Sequence, residues 1–314
     1  MNTHLTEILG IRYPIIMAPM FLVSNTKMLI AAADAGITGC VPALNYRTDS
    51  DFRAALDELK LNCKGPFGVN LIANRSNYRF EEQLNTCLEY KVDYIITSLG
   101  SPKAIIEACR PLGIKVFCDV INLEYARKVV PLGCDALIAV SSEAGGHCGT
   151  ESYKTLIPDL IREFGIPVIS AGGVGDHRGL EEKLTLGACG VSVGSPFIAT
   201  HESPVSQDYK NACIQYGKND IVKTTKLSGV PCTVINTPYQ QSIGTEINWL
   251  EKFLHKFKFL KKYVKMLTYW KGMKSLEKAA LGATYKTIWC AGPSIEYTHK
   301  IETVQEVVDR LIKK

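Results

Sequence analysis

The sequence predicts a (β/α)8 TIM barrel carrying an inserted, mainly helical lid subdomain, and three observations support this. From residue 14 to about 200, eight short apolar segments alternate with seven amphipathic stretches. The apolar segments are continuous rather than alternating, as parallel strands buried on both faces require. An eighth amphipathic stretch, Val304–Ile312, places Val304, Val307, Val308, Leu311 and Ile312 on one face and supplies the last helix of the ring. The runner-up is an open doubly wound sheet. That fold ordinarily has fewer parallel strands and an early Gly-x-Gly-x-x-Gly turn, which this chain lacks.

Taken in order, the strands are expected at Pro14–Ala18, Gly39–Ala43, Phe67–Leu71, Tyr94–Ser98, Lys115–Val120, Ala136–Val140, Pro167–Ala171 and Gly190–Val193. Between them, helical spacing of apolar residues predicts Thr26–Ala35, Ser50–Leu61, Tyr78–Tyr90, Pro102–Arg110, Leu123–Leu132, Tyr153–Phe164 and Asp176–Leu186. The barrel then comprises residues 1–204 and 286–314, with 205–285 inserted between the last strand and the last helix.

The insertion holds a long candidate helix from about Glu246 to Tyr269. Trp249, Leu250, Phe253, Leu254, Phe257, Leu260, Val264 and Leu267 share one face, and most lysines lie off it. Between Glu246 and Lys286 there are ten lysines and three glutamates, a charge of +7, so the rest of the chain carries −2 of the net +5. The basicity is local and gives no reason to expect nucleic acid binding. A lid helix with a solvated lysine face is the expected reading. Docking on an anionic membrane or an acidic acyl-carrier protein is the alternative.

Composition fits an ordinary globular protein, with 46% hydrophobic and 21% charged residues over 314 positions. The N-terminus lacks a basic start and a long apolar core, so no secretory signal is expected. No run approaches the ~20 apolar residues that span a bilayer. Eleven cysteines are scattered singly with no Cys-x-x-Cys spacing. That pattern predicts reduced thiols in a cytoplasmic protein and no zinc site.

Chemistry is expected at the C-terminal ends of the strands. The seventh predicted strand runs into Ala171-Gly172-Gly173-Val174-Gly175, and the eighth into Gly194-Ser195-Pro196-Phe197. Glycine-rich turns with free backbone N–H groups suit a phosphate, and these are the two loops where barrels often hold one. Ala18 and Met20 follow the first strand, Asn70 ends the third, Ser98 the fourth and Asp119 the fifth. Asn70 offers two donors and an acceptor to a ring edge, and Met20 offers a soft apolar wall. After the sixth strand comes Glu143-Ala144-Gly145-Gly146-His147-Cys148-Gly149. There the glycines allow a flat ligand close approach, and His147 carries a group that titrates near neutral pH.

These motifs, in this order, resemble the nitronate monooxygenase family, formerly called 2-nitropropane dioxygenases. The resemblance rests on Pro14–Met20, Phe67–Asn70, Glu143–Gly149, Ala171–Gly175 and Val193–Ser195. Similar proteins include FMN-dependent enoyl-acyl-carrier-protein reductases and NAD(P)H:quinone reductases. The resemblance implies FMN, its phosphate on Gly172, Gly173, Gly194 and Ser195. It places the ring against Ala18, Met20, Asn70, Ser98, Gly145 and Gly146, with Asp119 as a further contact. It implies that His147 faces the flavin across the substrate space, bonding an anionic substrate or removing an α-proton.

Three functions follow from it. The leading one is oxidation of alkyl nitronates with O2 to a carbonyl compound and nitrite. An NAD(P)H-dependent reductase of enoyl thioesters or quinones is the second. A flavin-binding membrane-surface protein without turnover is the third. The oligomeric state is left open, a homodimer being one arrangement. Two departures stand out. Many relatives carry Gly-Thr-Arg-Phe where this chain has Gly194-Ser195-Pro196-Phe197, and Ser-Gly-Arg-Pro-x-Arg where it has Ser228-Gly229-Val230-Pro231-Cys232-Thr233. Both remove cations expected to meet an anion.

Overall fold

The computed structural model describes residues 1–74, 77–227, 230–246 and 288–313. Eight parallel strands close into a barrel: β1 (Ile15–Met17), β2 (Thr38–Pro42), β3 (Phe67–Ile72), β4 (Tyr94–Ser98), β5 (Lys115–Val120), β6 (Ala136–Val140), β8 (Val168–Ala171) and β9 (Gly190–Val193). Each lies within a residue or two of its expected place. Closure is made by β1 against β9, with Ile16 opposite Ser192. Alternate side chains fill the two sides of the barrel wall. Ile16, Cys40, Tyr94, Ile96, Phe117 and Ile169 pack the interior, whereas Met17, Val41, Val69, Ile95 and Cys118 face the helices.

The helical ring is α2 (Thr26–Asp34), α3 (Asp49–Asn62), α4 (Phe80–Glu89), α5 (Lys103–Cys109), α6 (Leu123–Val129), α7 (Tyr153–Phe164), α8 (His177–Thr185) and the C-terminal α11 (Val304–Ile312). The last helix is the expected eighth. Its Thr303–Glu306 capping box fixes the start, and Val304, Val307, Val308 and Leu311 are buried against the barrel. Ahead of the first strand lies an unforeseen element: α1 (His4–Leu9) precedes the barrel, capped by Thr3 and ended by Gly10 in the left-handed conformation. Its Leu5 and Leu9 join the interior cluster and plug the end of the barrel remote from the strand C-termini.

Between β9 and α11 the described residues form α9 (Gln207–Gln215), β10 (Ile221–Thr224), β11 (Cys232–Ile235) and α10 (Pro238–Ile243). Strands β10 and β11 pair antiparallel, and β11 also pairs with β7 (Gly146–His147), the short strand of the loop after β6. The predicted Lys-rich helix lies outside the described residues. Among those described, no helix is long and apolar enough to cross a membrane, and all eleven cysteines are unpaired.

Candidate active site

A cavity of about 730 Å³ opens at the C-terminal ends of the strands. Every expected site residue lies on its wall: Ala18, Met20, Asn70, Ser98, Asp119, Gly145, Gly146, His147, Gly172, Gly173, Gly194 and Ser195. The volume falls in the range of cofactor and small-molecule sites. Seven strand ends separated by as many as 177 residues thus converge on one space.

One side is built from backbone. The N–H groups of Gly172, Gly173 and Gly194 donate to no acceptor among the described residues. Gly172 has φ +109, and a Cβ there would meet the Ala144 nitrogen at 2.5 Å. Any other residue would push the loop after β6 away from the loop after β8. Ser195 is buried, and its Oγ accepts the Gly292 N–H at 2.8 Å. Its hydroxyl proton remains to be donated.

Gly145 also meets a demand from the chain itself. A Cβ at Gly145 would stand 2.7 Å from Ser195 Oγ and 2.9 Å from the Gly292 nitrogen. The close approach that requires glycine here is made by the chain itself, knotting three loops together.

Opposite lies a hydrogen-bonded chain of side chains. Asn70 donates to the Ile96 carbonyl at 3.0 Å and to Ser98 Oγ at 2.9 Å, and Ser98 donates to Asp119. Both amide protons of Asn70 are therefore spent within the protein, and it offers a ring edge an acceptor only. Burial raises the Asp119 pKa to about 6, against the lowering effect of Ser98.

His147 is held by strand pairing, directly opposite Cys232 in the β7–β11 ladder. Its imidazole is exposed and opens onto the cavity, where desolvation by the surrounding wall lowers its pKa and favours the neutral ring. Thr233 Oγ1 donates to the Ala144 carbonyl at 2.7 Å and secures the same loop. An uncharged residue thus provides the tether at this position.

Further lining residues were not among the expected site residues. Tyr125 and Lys128 reach the cavity from α6, and Lys128 is paired with Glu124 at 2.6 Å. Glu143 lines it beside Gly173, its pKa raised by burial and drawn back by Lys183. Lys183 is itself buried on α8, 3.1 Å from the centre of the Tyr153 ring and 3.5 Å from Glu182. Its placement after Leu180 on the inward face of α8 was the one available hint.

The family profile described as nitronate monooxygenase matches residues 72–314. The chain belongs to that family. It is therefore an oxidoreductase of a flavoenzyme lineage. A Mycobacterium tuberculosis relative, (3aS,4S,5R,7aS)-5-hydroxy-7a-methyl-1-oxo-octahydro-1H-indene-4-carboxyl-CoA dehydrogenase, is 32% identical over 76% of this chain and 67% of its own length. A probable nitronate monooxygenase of Staphylococcus haemolyticus is 28% identical, covering 77% of this chain and 80% of that protein. Among solved structures, FabK from Thermotoga maritima superposes with a TM-score of 0.86 at 28% identity, covering 100% of this chain and 96% of FabK.

The cavity suits the flavin such proteins carry. Its glycine amides, without acceptors among the described residues, lie on one side of a volume large enough for a three-ring cofactor, and the Asn70–Ser98–Asp119 chain lies on another.

Proposed function

We propose that this nitronate monooxygenase family member binds FMN and oxidises alkyl nitronates with O2 to a carbonyl compound and nitrite. The observation that carries the reading is the convergence of His147 and the Gly172–Gly173 and Gly194–Ser195 loops on one cavity. In this reading the glycine amides and the Ser195 hydroxyl hold the phosphate. Ala18, Met20, Asn70, Ser98, Gly145 and Gly146 border the ring, with the Asp119 carboxyl behind Ser98. The cofactor, when bound, supplies the electron and oxygen chemistry.

The protein's own contribution centres on His147. Kept neutral by desolvation, the imidazole accepts the α-proton of a neutral nitroalkane, or bonds the nitro group of a nitronate once protonated. The β7–β11 ladder holds it at a fixed place on the wall. Residues 205–285, which contribute β11, act as the substrate-side module.

A second reading is an NAD(P)H-dependent reductase of enoyl thioesters or quinones. It is favoured by a relative named for a carboxyl-CoA substrate. Anaerobic mixing separates the two. Bleaching at about 450 nm, where flavins absorb, by nitronate but not by NADH or NADPH is the expected result. Rapid bleaching by a pyridine nucleotide would establish the reductase instead.

A further inference from the structure

Three cysteines line the cavity: Cys148, Cys232 and Cys290. Cys232 stands opposite His147 in the β7–β11 ladder, and Cys290 meets the same strand through an isolated bridge to Val234. The sulfurs of Cys232 and Cys290 lie 4.0 Å apart. We propose that Cys232 and Cys290 form an oxidisable thiol pair that hydrogen peroxide closes into a disulfide on the cavity wall beside His147.

The two thiols are not equivalent. Cys232 is enclosed at 2% exposure, whereas Cys290 is half-buried. The contact with Cys290 and burial push the Cys232 thiol well up, so it keeps its proton. Cys290, the more exposed of the two, is the sulfur that peroxide entering from the cavity meets first, which makes it the first nucleophile.

The chemistry balances with peroxide alone. The Cys290 sulfur attacks one peroxide oxygen, the O–O bond breaks, and the thiol proton joins the departing hydroxide, so that a sulfenic acid and one water result. Cys232 then attacks that sulfur, the S–S bond forms, and its proton leaves with the displaced hydroxide as a second water. Two thiols lose two electrons, and one peroxide becomes two waters.

Closure requires movement. Cys232 and Cys290 are diagonal neighbours in the ladder, where Cα atoms are about 7–8 Å apart, beyond the ~4.4–6.8 Å usual for a disulfide. The segment around Cys290 must shift toward β11, on the strand that positions His147. The pair thus reports on the same wall that the substrate meets.

The test is peptide mapping of the full-length, cofactor-loaded protein after hydrogen peroxide, with thiols alkylated before digestion without reductant. The expected result is one cross-linked peptide pair containing Cys232 and Cys290, lost on dithiothreitol treatment, and unchanged in Cys148→Ser. Cys290→Ser should leave Cys232 fully alkylatable. The contacting pair Cys118 and Cys134, away from the cavity, provides an internal comparison. Alkylation of both Cys232 and Cys290 at peroxide doses that oxidise other thiols would overturn the proposal. So would a cross-link from either one to Cys148. The wild-type map alone decides the outcome, whether or not the serine variants fold, and it stands apart from the choice of substrate.

Discussion

Thr233 Oγ1 donates to the Ala144 carbonyl at 2.7 Å, joining residues 89 positions apart. The bond ties the insertion to the loop that carries His147, and it is made by a buried side chain. Thr233→Val leaves a buried carbonyl short of a partner at a cost of about 1–3 kcal/mol. Thermal unfolding of the loaded protein should show a lowered midpoint for Thr233→Val and near-normal values for Thr233→Ser, which keeps the hydroxyl.

Gly145 is the knot between three loops. Gly145→Ala places a methyl group against Ser195 Oγ and the Gly292 nitrogen, and overpacking of this kind costs about 1–3 kcal/mol. Flavin titration should show weaker binding together with lower stability. Normal binding in Gly145→Ala would mean that the three loops separate freely.

Asp119 gives a stability trend opposite to that of most carboxylates. Its folded pKa of about 6 exceeds the ordinary value of 3.8 because the charge is desolvated. The folded state therefore holds the proton more tightly. The stability this contributes is complete below 3.8 and is lost as pH rises through about 6. Subtracting the unfolding profile of Asp119→Asn from that of the wild type should reveal a difference that falls with pH over this window.

Val230 lines the cavity with an uncharged side chain. Val230→Arg should lower KM for an anionic nitronate several-fold, with less effect on kcat, because a charge that binds substrate and transition state alike acts on KM. Steady-state kinetics at two salt concentrations would check this, since the gain should shrink at high salt.

The barrel was legible because continuous apolar runs at regular spacing leave few alternatives, and Val304–Ile312 completed the count. The site was legible because barrel chemistry gathers at strand ends, so Asn70, Ser98, Asp119 and the glycine loops could be placed by order alone. Other features depend on contacts that sequence spacing does not encode. Helix α1 is only six residues long and draws its stability from Leu5 and Leu9 inside the barrel. Strand β11 pairs with Gly146–His147 far along the chain, and neither segment reads as a strand in isolation. The two amide protons of Asn70 were counted as available, whereas Ile96 and Ser98 take both. The Lys-rich helix lies outside the described residues, and its expected lid role stands as a proposal.

In the proposed function His147 acts on the substrate rather than only shaping the loop. His147→Asn keeps a polar side chain of similar reach but cannot serve as a base near neutral pH. The account predicts an unchanged yellow flavin spectrum and turnover reduced by ~10²–10⁴, the usual contribution of a positioned acid or base. The acid limb of the wild-type pH profile should lie below the ordinary histidine value of 6.5, since burial lowers this pKa, and should vanish in the variant. Undiminished turnover of both nitroalkane and nitronate by flavin-loaded His147→Asn would contradict the account.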